Sequence, residues 1–368
     1  MRIYNRLVGY SKHCMQLNNR IFAFSILGKF LSQFGSSEFL KLEDVPYNDT
    51  FFDSMKDQFQ LAKNHNGWFT DENLQFACQC WSETLLEKNL KKWLSGYTIN
   101  DSSGLTVALI MAGNIPLVGF HDFISVLITG HKALIKLSSS DKYLLPFLAK
   151  YLIVVEQGFE DYIIFTDEKL TDFNAVITTG SNNTARYFNY YFGKYPNIIR
   201  KNRNSVAVLT GNETQTQLEG LADDIFRYFG LGCRNVSKLY VPEGYNFDSF
   251  FNAMFKWKQV INQNKYMNNY DYNKTVYLMS NIKLLDNEFL LLKEDINLSS
   301  PISVIYYETY NTITKVDKKI SKESESIQCI VAEANIKNEI GFGNTQKPQI
   351  WDYADGINTI DFLLKLPK

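Results

Sequence analysis

LTVALIMAG (105–113), LVGFHDFISVLITG (117–130) and ALIKLS (133–138) follow one another with only a few residues between them. The first and third are short aliphatic runs, and the middle one is longer and apolar on a helical period. They read as strand, helix and strand, the crossover that joins parallel strands. Working outward, KYLLPFLAKYLIVVEQG (142–158) reads as a helix, and YIIFT (162–166) and AVITTG (175–180) as strands. NNTARYFNYYFGK (182–194) reads as a helix and SVAVLTG (205–211) as a strand. This alternation predicts a parallel, doubly wound α/β sheet. A helix over 214–229 and the strand SKLYVP (237–242) open a second α/β set. A helix near 246–261 and strands TVYLMS (275–280), ISVIYYE (302–308) and IQCIVAEA (327–334) continue it.

Upstream of residue 105 the pattern is helical. Phe22, Ile26, Leu27, Phe30, Leu31 and Phe34 recur at three- and four-residue steps and make one apolar face. Thr70 and Asp71 can cap a second run that carries Phe76, Cys80, Leu86, Leu90, Trp93 and Leu94. On this run Cys78 and Cys80 read as buried structural thiols. The charged stretch KVDKKISKESESIQ (315–328) reads as a solvated face.

Of 368 residues, 45% are hydrophobic and 21% charged, and 38 Lys+Arg nearly cancel 39 Asp+Glu. That balance excludes a disordered chain, a collagen-like repeat and a charged nucleic-acid tail. No apolar run reaches the roughly 20 residues of a membrane-spanning helix. The opening MRIYNRLVGYSK lacks the apolar stretch of a signal peptide. Five cysteines (Cys14, Cys78, Cys80, Cys233, Cys329) are an odd number thinly spread, which fits reduced thiols and a cytoplasmic protein. The four histidines are scattered and no spacing resembles a zinc site, so no metal is expected.

Four segments carry chemistry. Phe229-Gly230-Leu231-Gly232-Cys233-Arg234-Asn235-Val236-Ser237-Lys238 places a cysteine after two glycines in a helix–strand loop. The glycines let a substrate approach closely, and Arg234 and Lys238 would favour a thiolate. A buried packing cysteine is the plain alternative. Ala112-Gly113-Asn114-Ile115-Pro116 ends the first parallel strand, where ligands of open α/β sheets bind; Asn114 can aim an amide N–H at an oxyanion, or simply make a turn. Lys136, Ser138 and Ser139 end the next strand and could hold ribose or phosphate, against a merely solvated lysine. Thr178-Thr179-Gly180-Ser181 runs into a helix N-terminus, a place for phosphate, although GxGxxG is missing.

In this order and spacing the four segments resemble the aldehyde dehydrogenase superfamily, and more narrowly its acyl-CoA reductase (LuxC-type) family. The resemblance covers about residues 105–310. It implies two three-layer α/β/α domains with parallel-rich sheets and a helical N-terminal segment. Residues 1–211 would hold that segment and the nicotinamide-nucleotide domain, 212–340 the catalytic domain, and 341–368 a tail packing back on the body. The resemblance makes Cys233 the catalytic nucleophile and Asn114 the oxyanion donor. Lys136, Ser138, Ser139, Gly180 and Ser181 would hold the cofactor. The partner would be an acyl-CoA or acyl-carrier thioester, with the chain assembled as a homo-oligomer; no nucleic-acid partner is expected.

Departures from the pattern are equally informative. Hydrolytic aldehyde dehydrogenases carry a water-activating glutamate in a Glu-Leu-Gly-Gly-Lys motif. Here the stretch is Ile199-Arg200-Lys201-Asn202-Arg203-Asn204-Ser205, and no Asp or Glu occurs from Phe173 to Asn212. Without a carboxylate base, water should deacylate an S-acyl cysteine poorly, which favours thioester reduction. The RKNRN cluster reads first as a solvated turn and second as a coenzyme A phosphate contact. Ser139 replaces the acid that grips a ribose 2′-hydroxyl, which puts NADPH ahead of NADH. The superfamily's nicotinamide-ribose glutamate has only a blurred counterpart near Asn297-Leu298-Ser299-Ser300-Pro301. An oxidative aldehyde or semialdehyde dehydrogenase and a non-catalytic acyl- or partner-binding subunit are the competing readings.

Overall fold

The computed structural model describes residues 15–100, 104–180 and 182–367. The described chain begins with helices α1 (Leu17–Ser32), α2 (Asn48–His65), α3 (Asp71–Thr84) and α4 (Glu87–Leu94). The Thr70 hydroxyl accepts from the Asn73 N–H at 3.3 Å and so caps α3 as expected. The single long run anticipated there breaks at Leu85–Leu86 into two helices. Helix α1 buries Phe24, Leu27, Phe30 and Leu31, but Phe22 is exposed and lies off the buried face. Helix α2 was not anticipated, although its buried Phe52, Met55, Phe59 and Ala62 keep helical spacing among polar residues.

The first sheet collects β1 (Thr106–Ile110), β2 (Lys132–Lys136), β3 (Ile163–Phe165), β4 (Ala175–Thr179) and β5 (Asn197–Arg200) in the order β3-β2-β1-β4-β5, all pairs parallel. Connecting helices are α5 (Phe120–Ile128), α6 (Leu144–Val155) and α7 (Asn182–Phe192). Val107, Ala108 and Leu109 of β1 are buried on both faces, as parallel strands covered by helices must be. Strand β5 escaped the sequence reading.

The second sheet has the order β12-β11-β6-β7-β10-β9-β8. Its strands are β6 (Asn204–Val208), β7 (Val236–Pro242), β8 (Leu285–Asp286), β9 (Leu291–Glu294), β10 (Val304–Tyr310), β11 (Ile327–Val331) and β12 (Glu339–Ile340). All its pairs are parallel except β8 with β9. Helices α8 (Gln215–Phe226), α9 (Asp248–Met254), α10 (Asn264–Met279) and α11 (Ile313–Lys322) connect them, and α12 (Thr359–Leu364) ends the chain. Strand β6 pairs with β7 and β11, so the change of sheet falls at 201–203, ahead of the boundary expected at 211. The strand expected at TVYLMS is instead the end of α10. That helix buries Tyr266, Tyr270 and Asn273 and leaves Val276, Leu278 and Met279 exposed, so the apolar run does not report a core.

The tail crosses back to the first sheet. Ile360 and Leu363 join the core beneath α5, and His131 Nε2 hydrogen-bonds the Leu363 carbonyl at 3.1 Å. Among the described residues no helix is long and apolar enough to cross a membrane. The N-terminal helices share this same core: the Phe30 ring stacks on Tyr151 of α6 at 4.2 Å. Phe30→Ala should therefore lower unfolding stability by about 3–5 kcal/mol. Urea denaturation followed by tryptophan fluorescence checks it, and a loss below about 1 kcal/mol would show that α1 is not integral to that core.

Candidate active site

Strands of the first sheet end level with one another. Ile110 pairs with Lys136 on one side and Thr178 on the other, and Thr179 with Arg200. Crossovers diverge to either side of β1, so a crevice opens at the carboxyl ends of β1 and β4. On its other side the loops after β1 and β2 press on each other: a Cβ on Gly113 would lie 2.7 Å from Ser138 Oγ. Buried Asn66 clips the two loops, its Nδ2 donating to the carbonyls of Gly113 (3.3 Å) and Ser140 (3.2 Å). His65 hydrogen-bonds the Ser139 carbonyl. Asp141 Oδ2 accepts from the Leu117 N–H at 3.2 Å, while its Oδ1 has no partner among the described residues. Burial pushes this carboxyl up to about 6.

Lys136 Nζ donates to the carbonyls of Asp167 (3.2 Å) and Glu168 (3.1 Å) beyond β3. Ser138 Oγ accepts from the Ser140 N–H at 3.2 Å, and Ser139 is exposed. At the end of β4, a Cβ on Gly180 would meet Phe188 and Thr184 at 3.1 Å, so α7 packs directly on that glycine. Ser181 lies outside the described residues.

Cys233 stands exposed in the loop between α8 and β7. Asn235 locks this loop: Oδ1 accepts from the Gly232 N–H (2.8 Å), and Nδ2 donates to the carbonyls of Asp224 (3.1 Å) and Arg227 (2.8 Å). Ser205 Oγ donates to the Cys233 carbonyl at 2.9 Å and accepts from the Cys329 N–H at 3.1 Å. Tyr228 and Phe229, with φ of 54° and 58°, lead into the loop in a left-handed conformation that side chains disfavour. Helix α3 braces them, since Asn73 Oδ1 accepts from the Tyr228 N–H at 3.4 Å and Phe76 packs edge-on to Tyr228. Asn114 Nδ2 donates to the Leu231 carbonyl at 2.7 Å. The fold thus joins Asn114 to the Cys233 loop, while Lys136, Ser138, Ser139 and Gly180 line the neighbouring sheet edge.

The surroundings of Cys233 work against the expected thiolate preference. Protein crowds the Cys233 sulfur even though solvent reaches it, and this desolvation pushes the thiol up to about 11. Arg234 opposes the shift, but its Nη1 contacts Cys329 Sγ and the Thr345 carbonyl, both at 3.4 Å. Lys238 is buried on β7 against the Asp295 carbonyl and Glu308. The solvated basic turn is also corrected. Arg200 is buried in an ion pair with Asp122 of α5 (2.6 Å) and donates to the Ala354 carbonyl (2.9 Å) and Thr359 Oγ1 (3.2 Å). Arg203 Nε pairs with Asp355 Oδ1 at 3.2 Å. Only Lys201 and Asn202 of this turn are exposed. Near the blurred motif, Ser237 Oγ donates to the Leu298 carbonyl at 2.8 Å.

From the sequence alone Asn235 has no assigned role, although an Asn beside a Gly-rich turn is a signal for such a clamp. Asn66 and Ser205 carry no local signal, because their partners come from remote segments.

The acyl-CoA reductase (LuxC) family model matches residues 82–254. Solved structures with the same fold include aldehyde dehydrogenase 21 from Physcomitrella patens, in complex with the reaction product succinate. It is 13% identical, covers 88% of this chain and 74% of its own, and gives a TM-score of 0.62. The aldehyde dehydrogenase KauB from Pseudomonas aeruginosa (11%, 87% and 72%, TM-score 0.62) and an E. coli NADP dependent enzyme (12%, 87% and 74%, TM-score 0.62) match similarly. No curated protein sequence matches.

Asp141 offers a check on the crevice. Its folded-state value near 6, against 3.8 unperturbed, means the folded protein keeps a proton that the unfolded chain releases between about pH 4 and 6. Its contribution to stability is therefore lost as pH rises through that window. Asp141→Asn should gain roughly 2–3 kcal/mol relative to the parent between pH 4 and pH 7. Urea midpoints at both pH values test this, and an offset independent of pH would contradict it.

Proposed function

On the premise that residues 82–254 carry the acyl-CoA reductase (LuxC) pattern within an aldehyde dehydrogenase fold, we propose that this chain reduces an acyl thioester to the aldehyde with NADPH through an S-acyl intermediate on Cys233. The observation that carries this reading is the Asn114 amide docked at 2.7 Å on the Leu231 carbonyl, two residues before an exposed cysteine. An oxyanion donor and a nucleophile from different sheets meet there, beside the crevice that would take a nucleotide.

The residues present fit a nicotinamide nucleotide. Lys136 ends β2, and the Gly180 backbone is packed so tightly against α7 that a side chain there would crowd Phe188 and Thr184. Lys136, Ser138, Ser139 and the Gly180–Ser181 turn would hold it, with Ser139 leaving no acid to repel a 2′-phosphate. When bound, the cofactor supplies the hydride.

The chain's own residues do the rest. The Cys233 sulfur attacks the thioester carbonyl, and the carrier thiol departs with the bonding pair. The second amide hydrogen of Asn114 and the Cys233 N–H stabilise the oxyanion of this step. They do the same for the thiohemiacetal formed once hydride reaches the acyl carbon, whose collapse releases aldehyde. Arg200 stands where hydrolytic relatives are expected to carry their glutamate, and a guanidinium cannot accept a proton from water. This supports reduction over oxidation to the acid.

Cys233→Ala should abolish acyl-enzyme labelling and acyl-CoA-dependent NADPH consumption, and full turnover by that variant would refute the mechanism. Asn114→Ala should slow turnover roughly 10²–10³-fold while acyl-CoA still binds. Acid formation from aldehyde and NADP⁺ without free coenzyme A would favour the oxidative dehydrogenase instead.

A further inference from the structure

Strand β1 gives way to a glycine just before the side chain that reaches the Cys233 loop. The strand ends at Ile110, the Met111 N–H still reaches the Lys136 carbonyl at 3.1 Å, and Ala112 and Gly113 then lead to Asn114. Position 113 has no room for a side chain, since a Cβ there would lie 2.7 Å from Ser138 Oγ and 3.0 Å from the Asp141 nitrogen. Glycine is also the residue whose backbone turns most freely. On the far side of this hinge is Asn114, with its Nδ2 on the Leu231 carbonyl at 2.7 Å. Asn66 takes the freedom away. Its Nδ2 donates to the Gly113 carbonyl at 3.3 Å, the oxygen of the same peptide bond that carries the Asn114 nitrogen. It donates also to the Ser140 carbonyl at 3.2 Å, on the loop after β2.

Asn66 can act as a clip because it is itself held. It is buried directly after α2, with its N–H on the Ala62 carbonyl at 2.9 Å. Its Oδ1 accepts from the Trp68 N–H at 3.0 Å, so the amide oxygen and both amide hydrogens are in use. Its neighbours reach the same surroundings. His65 bonds the Ser139 carbonyl, and the Trp68 ring packs on Phe229, four residues before Cys233, at 5.6 Å. Gln263, just ahead of α10, donates to the Gly67 carbonyl. The turn between α2 and α3 therefore touches the loops after β1 and β2 and the approach to Cys233 together. Resting on the reductase reading above, we propose that Asn66 is a positioning residue for acyl transfer: it fixes the Gly113–Asn114 peptide and so keeps the Asn114 amide where the oxyanion forms. Asn66 acts only through Asn114. Without its donors the Gly113 carbonyl loses its tie to the loop after β2 and the peptide can rotate. A misplacement of about 1 Å in a reacting site is enough to cost roughly 10²-fold in rate.

The test is a double-mutant cycle on acylation in the full-length protein. Acyl-enzyme formation from octanoyl-CoA is timed by mass spectrometry in wild type, Asn66→Ala, Asn114→Ala and the double variant. Alkylation of Cys233 by iodoacetamide is the control, because it needs no oxyanion donor. Asn66→Ala should acylate roughly 10–10²-fold more slowly than wild type and alkylate within about twofold of it. In the Asn114→Ala background the same change should cost less than about threefold, since the residue it acts through is gone. Asn66→Asp keeps an acceptor for the Trp68 N–H but its carboxylate has no donor, so it should lose acylation as Asn66→Ala does. Equal losses in the two backgrounds would show that Asn66 supports the fold at large, and the proposal would be wrong. Unchanged acylation in Asn66→Ala, a parallel loss of alkylation, or failure of both Asn66 variants to fold would overturn it equally. Acylation that persists in Cys233→Ala, or runs at the wild-type rate in Asn114→Ala, would instead overturn the reductase reading beneath it, and this proposal with it.

Discussion

A guanidinium buried at the end of β5 must be neutralised, and much of the site follows from how this is done. Burying an arginine without partners costs several kcal/mol, so its contacts cannot be optional. Arg200 takes Asp122 from α5, the Ala354 carbonyl and the Thr359 hydroxyl. One side chain therefore ties the first sheet, its helical cover and the final segment together. The chain returns from the second sheet to the first because of contacts of this kind, with Ile360 and Leu363 completing the apolar part of the seam.

Around that seam the loops are held by side-chain amides rather than by regular structure. Asn66 joins the ends of β1 and β2, Asn235 closes the turn before β7, and Asn114 bridges the sheets. An amide offers donors and an acceptor without charge, so it can satisfy several loop backbone groups at once and leave the local electrostatics to Arg200, Arg203, Arg234 and Asp355. The left-handed Tyr228 and Phe229 are kept in place by the N-terminal helices, through Asn73 and Phe76 on Tyr228. Those helices thus brace the segment leading to Cys233 as well as building the core.

Most of the alternating strands and helices from 105 to 242 were legible because β1, β2, β4 and β6 are short, largely buried runs bounded by turns. Strand β5 was missed because NIIR is brief and ends in an arginine whose burial only a distant aspartate makes possible. At the end of α10 the expectation of a strand fails because a six-residue run opening on Thr275, Val276 and Tyr277 carries the same pattern whether it forms a strand or the exposed end of a helix. Residues Asn114, Lys136, Gly180 and Cys233 stand out from local context, a glycine or a strand end beside each. Their electrostatics were not legible: Arg234 and Lys238 adjoin the cysteine in sequence, but the fold turns one toward Cys329 and buries the other against Glu308. Proximity along the chain says little about charge when a loop and a strand send neighbouring side chains in different directions.

The chemistry proposed for Cys233 turns on the identity and fate of one covalent adduct. Wild-type protein incubated with octanoyl-CoA in the absence of nucleotide, digested and weighed by mass spectrometry, should carry an octanoyl group on the peptide containing Cys233. A chase with NADPH should then discharge that group as octanal. An adduct confined to another cysteine, or discharge as octanoic acid with NADPH left intact, would contradict it.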